Sequence, residues 1–203
     1  MRIGCLFGTF DPPHKGHLAI ADHMLATQGL DQVWLVVTPL NPFKQDRPIS
    51  PDQHRLAMVR LAVMGHDGIQ ASGLELELPK PNYTVDSLRF MRQRWPEHRF
   101  DLIIGSDNLA VLHKWKNAEE ILEHHRVLVY PRTGFHDHLA STIFHGHPAV
   151  RAVADAPMLP YSSTDVRADI VGWHDPARAG QVVEDQVDAA VVSYIRQHGL
   201  YKP

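Results

Sequence analysis

The chain has 203 residues, of which 44% are hydrophobic and 21% charged, and its net charge of −3 disfavours general binding to nucleic acid or anionic membranes. No apolar stretch approaches the roughly 20 residues that cross a bilayer, so no membrane association is expected. Cys5 is the only cysteine, which predicts no internal disulfide and a cytoplasmic location.

Short apolar runs alternate along the chain with longer amphipathic stretches. Four of the runs are rich in Val, Ile and Leu and lack polar alternation, as expected of strands covered on both faces. These predicted strands span residues 2–7, 32–38, 100–105 and 126–130. The predicted helices between and after them span residues 16–27, 50–64, 84–95, 117–124 and 182–195.

The second helix carries a recognisable start signal. Ser50 is placed to cap it, Pro51 suits the first helical position, and Gln53 follows three residues after the cap. The His-rich segment 133–147 fits either a helix or a mobile excursion.

The alternation of strands and helices predicts an α/β protein with a doubly wound, Rossmann-like parallel sheet and helices on both faces. We expect a single domain over residues 1–203, with a small helical C-terminal part from about 162. In such sheets ligands bind outside the carboxyl ends of the strands, near the switch in strand order. Functional motifs are therefore sought directly after the strands.

The strongest motif, GTFDPPHKGH at residues 8–17, runs from the first strand into the first helix. Gly8 allows close approach of the backbone to a ligand. His14 and His17 are three residues apart, with Gly16 between them, so both imidazoles can face one pocket at a helix N-terminus. Such a pocket suits a triphosphate. The alternatives are a glycine turn with two surface histidines, or half of a zinc site.

Two common nucleotide motifs are missing from the sequence. It contains no G-x-x-x-x-G-K-[ST] and no G-x-G-x-x-G pattern. A P-loop kinase and an ordinary dehydrogenase are therefore disfavoured.

A second motif, SSTDVR at residues 162–167, has a serine or threonine placed to cap a helix. Arg167 would lie one turn inside that helix and could reach the same anion as the cap. A plain helix cap with a solvated arginine is the alternative for this segment taken alone.

Together the two motifs resemble the signatures of the HxGH nucleotidyltransferase superfamily. Within it the chain is most similar to bacterial nicotinate-nucleotide adenylyltransferases, and the similarity also covers PLNPFK at 39–44, YTVDSL at 83–88 and GSDNLAVLHKW at 105–115. The resemblance implies transfer of AMP from ATP to nicotinate mononucleotide, giving deamido-NAD and pyrophosphate. Mg²⁺ bound with ATP is the implied cofactor, and homo-oligomerisation is left open.

The resemblance also implies roles for individual residues. The implied catalytic residues are His14, His17 and Arg167. Those implied to bind ATP are Gly8, Thr9, Phe10, Gly105, Asp107, Ser163 and Thr164, with Asp107 accepting hydrogen bonds from the ribose. The implied pyridine nucleotide pocket is formed by Asn41, Lys44, Tyr83, Thr84 and Trp115, with Trp115 stacking on the ring.

One residue departs from the family pattern. Phe7 stands where the family usually has a first glycine before Gly8, so its side chain either narrows the approach of the nucleotide or points into the core.

Three other functions are weighed against this one. A sister enzyme, either pantetheine-phosphate adenylyltransferase or a cytidylyltransferase, would share only the two outer motifs. A nucleotide-binding regulator without catalysis need not keep His14, His17 and Arg167. A metal-binding protein is suggested by 15 histidines, with pairs at 136/138 and 145/147, but not by the cysteine content.

Overall fold

The structure is a computed structural model of the chain. It describes residues 1–40, 49–132, 143–144, 146–158, 160, 162–172 and 181–202. Among these residues, no helix is both long enough and apolar enough to cross a membrane.

A six-stranded sheet forms the centre of the fold, in the order β3-β2-β1-β4-β5-β6. Every neighbouring pair of strands is parallel, which confirms the predicted doubly wound architecture. The strands are β1 (Arg2–Gly8), β2 (Gln32–Val37), β3 (Ile69–Ser72), β4 (Arg99–Gly105), β5 (Val127–Tyr130) and β6 (Val150–Ala152).

The four predicted strands are the four inner ones, and the two that the sequence did not reveal are the edges. β3 reads IQAS, with only Ile69 buried, and β6 is three residues long with no buried residue. An edge strand has one free side and need not be apolar, so its sequence lacks the continuous hydrophobic run of an inner strand.

Eight α-helices are described: α1 (Lys15–Thr27), α2 (Asp52–Ala62), α3 (Thr84–Arg94), α4 (Ser106–Val111), α5 (Ala118–His124), α6 (Ser163–Val171), α7 (Gln181–Gln186) and α8 (Ala189–His198). Two short 3₁₀ turns complete the list: Leu74–Glu77 lies between β3 and α3, and Leu112–Lys114 lies between α4 and α5.

The predicted start of α2 is wrong by one residue, since Pro51 is the N-cap and no side chain caps the helix. Ser50 is held by its backbone instead: its N–H donates to Asp11 Oδ2 and its carbonyl accepts from Arg55 Nε. These bonds fix Ser50 outside the helix. The helix also ends at Ala62, two residues before the predicted end.

The predicted C-terminal helix over 182–195 is interrupted. α7 ends at Gln186, and α8 begins after Asp188, whose carboxylate accepts from the Ala190 N–H. The hydrophobic spacing is nevertheless meaningful, because Val183, Val187 and Val191 are all buried in one core.

The sheet separates two hydrophobic cores. One contains residues of α1, α2, α6 and the two C-terminal helices. The other contains residues of α3, α4 and α5. The strand order reverses between β1 and β4, so the carboxyl ends of these two strands flank the switch point at which ligands are expected.

Candidate active site

The GTFDPPHKGH segment leaves β1 and enters α1, with His14 as the N-cap residue. The imidazole rings of His14 and His17 stack with centroids 3.7 Å apart and planes inclined by 26°. The His14 N–H donates to His17 Nδ1 at 3.2 Å. The structure thus brings the two predicted histidines together on the first turn of α1, where free backbone N–H groups favour an anion.

Gly8 and Phe10 fit each other closely in this turn. Phe10 has a φ of 48°, in the left-handed region, and its side chain is buried. A Cβ placed on Gly8 would lie 2.9 Å from Cζ of the Phe10 ring, closer than such contacts occur. The absence of a side chain at Gly8 therefore lets the Phe10 ring fold under the turn and meet His17 edge-on, with centroids 4.9 Å apart.

Burial sets the charge of His14. The side chain is 6% exposed, and desolvation, with the positive charge of Arg132, lowers the pKa of His14 to about 4. The nearby Asp165 carboxylate opposes this shift. His14 is consequently a neutral imidazole near pH 7, able to act through a hydrogen bond.

The SSTDVR segment begins α6, and Ser162 caps it as predicted. Asp165 accepts from both the backbone N–H and the hydroxyl of Ser162, and these bonds lower the pKa of Asp165. The helix docks on the histidine turn: the Ser163 hydroxyl donates to the Pro12 carbonyl at 2.9 Å, and Arg167 Nη1 donates to the Asp11 carbonyl at 2.6 Å. The two motifs, 150 residues apart in sequence, therefore form one unit.

This docking differs from the expected arrangement of Ser163, Thr164 and Arg167. The Ser163 and Arg167 side chains are engaged with loop carbonyls, and the Thr164 hydroxyl accepts from Arg167 Nη2 at 3.2 Å. None of the three is among the residues that line the open space beside the histidines. In this structure they hold the histidine turn, and direct contact of these three with a triphosphate stays a prediction.

The open space beside the histidines is a cleft of about 340 Å³, called here the histidine cleft. The side chains that give it chemical character are His14, His17, Tyr130, Arg132, Ser162 and Asp165. Gly16, which stands between the two histidines in sequence, also lines it.

Arg132 is a candidate site residue that the sequence motifs missed. It follows β5 at the carboxyl edge of the sheet, where its backbone N–H donates to the Ser106 hydroxyl at 3.0 Å. Its guanidinium carbon lies 5.7 Å from the centre of the Tyr130 ring. The expectation that ligands bind after strands would have pointed to this residue.

Gly105 and Asp107 lie beside Arg132 at the end of β4. Asp107 Oδ1 is 3.8 Å from Arg132 Nε and accepts from Asn108 Nδ2 at 3.3 Å. A Cβ on Gly105 would collide with the Asp107 carboxylate. The glycine therefore leaves room for the Asp107 side chain over the end of β4.

A second cavity lies at the switch point itself, and we call it the switch-point crevice. Its volume is about 80 Å³, and it is lined by residues of β1 and β4, by the start of α3, and by Glu75, Asn82, Tyr83, Trp115 and Lys116. Three predicted substrate residues, Tyr83, Thr84 and Trp115, thus share one cavity. Tyr130 lines both the crevice and the histidine cleft, so the two cavities are neighbours.

The side chain at the unusual position 7 also lines the crevice. Phe7 is half-buried and packs against the core on the α3 side of the sheet. Phe7 thus packs against the core and also lines the crevice, and its effect on the approach of the nucleotide stays a prediction.

Arg55 is a second residue that the sequence did not reveal, since nothing in its helical context distinguishes it. The side chain is fully buried and makes five hydrogen bonds, to the carbonyls of Thr9, Thr38, Pro39 and Ser50 and to the Asp52 carboxylate. It thereby ties the histidine turn to the end of β2 and to the start of α2.

Two predicted substrate residues, Asn41 and Lys44, lie outside the described residues. The same holds for most of the His-rich segment 133–147, including His136, His138 and His145. His147 is described, and its Nδ1 accepts from the Ala149 N–H. Within the described ranges, no group of three His, Cys, Asp or Glu side chains is placed to hold a metal ion.

A parallel sheet with a histidine-bearing turn after its first strand defines the class of protein. Residues 5–169 match the family model described as cytidylyltransferase-like. A probable nicotinate-nucleotide adenylyltransferase of Flavobacterium johnsoniae is 42% identical over 202 residues, with 100% of both chains covered. The protein of the same description from Christiangramia forsetii is 39% identical and covers 99% of this chain and 98% of its own.

A solved structure supports the fold independently. It is the Plasmodium falciparum nicotinic acid mononucleotide adenylyltransferase complexed with NaAD, with a TM-score of 0.76 at 18% identity, covering 98% of this chain and 97% of that one. The chain belongs to the cytidylyltransferase-like family of nucleotidyltransferases, among the nicotinate-nucleotide adenylyltransferases.

Proposed function

We propose that the protein transfers AMP from ATP to nicotinate mononucleotide, giving nicotinate adenine dinucleotide and pyrophosphate, in the biosynthesis of NAD. The observation that carries the proposal is the pair of neighbouring cavities that share Tyr130. One presents histidines and an arginine at a helix N-terminus, and the other presents aromatic rings at the switch point. A reaction between two nucleotides needs such a pair of adjoining sites.

In this proposal the histidine cleft receives the triphosphate. His14 is neutral near pH 7 and donates a hydrogen bond to a phosphate oxygen, while Arg132 supplies a full positive charge. Asp165 also lines the cleft, and its negative charge would keep the phosphates on the side of the α1 N-terminus. Asp107, beside the end of β4, would accept from the ribose hydroxyls.

The switch-point crevice receives the pyridine ring of the acceptor. Trp115 and Tyr83 offer aromatic faces, and the start of α3 at Thr84 offers backbone N–H groups for a carboxylate. Lys116 also lines the crevice, with Nζ 4.7 Å from the centre of the Tyr83 ring, and its positive charge would attract the phosphate of the mononucleotide.

The chemistry then follows from positioning. A phosphate oxygen of the mononucleotide is already an anionic nucleophile and attacks the α-phosphorus of ATP in line, and pyrophosphate leaves with the electron pair of the broken P–O bond. The protein holds the two anions in contact and stabilises charge on the transferring group through His17, Arg132 and backbone N–H groups. Mg²⁺, held mainly by phosphate oxygens and water, would neutralise charge on the triphosphate.

A cytoplasmic location fits the same proposal. Cys5, the only cysteine, is free and buried in β1. Burial and the nearby Asp101 carboxylate raise its pKa well above the usual value, so the thiol is unreactive and makes no demand for an oxidising compartment.

A pyrophosphate-release assay tests the function directly. The protein is given ATP and Mg²⁺ with each of three acceptors: nicotinate mononucleotide, nicotinamide mononucleotide and phosphopantetheine. We expect the highest kcat/KM with nicotinate mononucleotide. Turnover of phosphopantetheine alone would assign the chain to the sister enzyme, and ATP binding without any turnover would indicate the regulator.

A further inference from the structure

Glu75 is an acidic residue that lines the switch-point crevice, and only one of its two carboxyl oxygens is hydrogen-bonded. It lies in the 3₁₀ turn Leu74–Glu77 and is 1% exposed. The Ser87 hydroxyl donates to Oε1, whereas the buried Oε2 has no hydrogen-bond partner among the described residues. Because a buried polar atom without a partner costs free energy, such an atom in a ligand cavity points to a bond that forms with the ligand.

Among the described residues, no positive charge contacts Glu75 to stabilise a carboxylate. The other titratable residues that line the crevice are Tyr83, Tyr130 and Lys116. Lys116 Nζ is engaged 2.7 Å from Asp86 Oδ2. Burial raises the pKa of Glu75, and the hydroxyls of Ser87 and Thr38 only partly offset this. The surroundings of Glu75 therefore make its protonation easier than that of an exposed glutamate.

A bound nicotinate carboxylate would strengthen that preference. A second carboxylate in the same cavity of about 80 Å³ makes ionisation of Glu75 less favourable, and the pyridinium nitrogen of the ligand offsets this only in part. The pyridine carboxylate, with a low intrinsic pKa, stays ionised, so the proton resides on Glu75. A protonated carboxyl is a donor as well as an acceptor, and its bond to a carboxylate is charge-assisted.

We propose that Glu75 is a specificity-determining residue: it takes up a proton from solvent when nicotinate mononucleotide binds and donates it in a hydrogen bond to the pyridine carboxylate. The inference rests on the proposed function, because it requires the pyridine ring to occupy the crevice. The amide of nicotinamide mononucleotide has its own N–H donors, which an ionised Glu75 can accept, so its binding takes up no proton at this residue. Preference for the acid over the amide therefore falls as pH rises.

Calorimetric titration measures the proton directly. The wild-type protein is titrated at about pH 8.5 with each mononucleotide in two buffers of different ionisation enthalpy, which gives the number of protons exchanged on binding. Both ligands carry the same phosphate, so its ionisation cancels in the comparison. We expect an excess uptake of about one proton for the acid over the amide.

Two variants isolate Glu75 from its surroundings. Glu75→Gln keeps the shape and a donor but cannot titrate, and Glu77→Gln changes an exposed carboxylate in the same 3₁₀ turn. Glu75→Gln should abolish the excess proton uptake while retaining affinity for nicotinate mononucleotide, and Glu77→Gln should leave both unchanged. In wild type, the ratio of kcat/KM for acid to amide should fall by up to about tenfold per pH unit above the pKa of Glu75.

The outcomes separate this proposal from the proposed function. An excess uptake that persists in Glu75→Gln, or no excess uptake in a wild type that turns over nicotinate mononucleotide, would overturn the role of Glu75 and leave the reaction intact. Lack of turnover with either mononucleotide would overturn the function itself. If Glu75→Gln fails to fold, the comparison of the two ligands with wild type alone still decides the proposal.

Discussion

At the scale of single residues, the site uses burial to set protonation states. His14 has its pKa lowered to about 4 by desolvation first and Arg132 second. It therefore meets the triphosphate as a neutral donor, without the cost of keeping a buried imidazolium in the free enzyme. The negative charge of the bound phosphates favours the protonated form of His14 during the reaction.

The shifted pKa of His14 predicts a loss of stability in acid. Its pKa falls from 6.5 when unfolded to about 4 when folded, so between these values the unfolded chain binds more protons than the native protein. Stability is fully present above pH 6.5 and declines as the pH falls towards 4, by about 3 kcal/mol from this residue. Urea unfolding of wild type and His14→Gln across this range measures the effect.

The control for His14 is His113→Gln, which changes an exposed histidine. The pH profile of His113→Gln should follow wild type, whereas that of His14→Gln should be flatter. Parallel profiles for all three proteins would show that His14 titrates normally.

His17 and Trp115 should separate chemistry from binding. An interaction that strengthens in the transition state lowers kcat when it is lost, whereas one made equally throughout the reaction raises KM. We expect His17→Ala to lose ~10²–10³ in kcat. Trp115→Ala should raise KM for the mononucleotide by the equivalent of ~1–3 kcal/mol, as for other base–aromatic stacks.

Steady-state kinetics with thermal melts test this pair of variants. Neither should unfold the protein, because both side chains reach a cavity. An almost unchanged kcat in His17→Ala together with an unfolded Trp115→Ala would make His17 a surface histidine and Trp115 a core residue.

At the scale of elements, α2 is held to the site by one side chain. Arg55 binds carbonyls that belong to the histidine turn, to the end of β2 and to Ser50, two residues before α2. Its bond to Thr38 and its long contact to Pro39 precede residues 41–48, and its bond to Ser50 follows them. Arg55 thus fixes the two ends of the segment that carries the predicted substrate residues Asn41 and Lys44.

Replacement of Arg55 should be strongly destabilising. Arg55→Met leaves several carbonyls, including that of Thr38, without their donor, while Lys80 still binds the Asp52 carboxylate. Because each buried acceptor left unpaired costs ~1–3 kcal/mol, the variant should lose roughly 3 kcal/mol or more. Arg60→Met, at an exposed position of the same helix, should cost less than about 0.5 kcal/mol. Chemical denaturation of both variants measures the difference, and equal stabilities would show that Arg55 is not the link between these elements.

The sequence predicted elements well where a local pattern carried the information. Inner strands need apolar residues on both faces, and the motif that predicts the Ser162 cap consists of six adjacent residues. The edge strands and the true start of α2 depend on distant partners, such as the bond from Ser50 to Asp11. The same distinction holds in the site: motif spacing brought His14 to His17, but Arg132, Arg55 and Glu75 act through contacts that no short pattern encodes.

At the scale of the whole molecule, the last described residues of the chain meet the histidine turn that follows β1. α8 ends at His198, and its C-cap Gly199 adopts a φ of 57°, so the chain turns and the Tyr201 hydroxyl donates to Asp11 Oδ1 at 2.6 Å. Asp11 is 2% exposed, and its other carboxylate oxygen accepts from the Ser50 N–H. A buried carboxylate without these donors would cost free energy. The segment after α8, through Tyr201, therefore stabilises the conformation of the turn.

The hydrogen bond from the Tyr201 hydroxyl to Asp11 leads to a prediction for Tyr201→Phe. Burial and the Asp11 carboxylate raise the pKa of Tyr201, so the phenol remains a donor at every working pH. Removal of its hydroxyl deletes a hydrogen bond to a buried charge and should cost ~1.5–3 kcal/mol of stability. Because Asp11 also presents its carbonyl to Arg167, the disturbed turn should lower kcat/KM for ATP as well.

Tyr194→Phe is the matched control. It removes a hydroxyl of α8 that lies 2.9 Å from His54 Nδ1 and does not contact Asp11. Equal losses of stability and of kcat/KM in the two variants would show that the tail has no particular connection to the histidine turn, whereas a loss of kcat/KM confined to Tyr201→Phe would show that the C-terminus of the chain holds the site at its N-terminus.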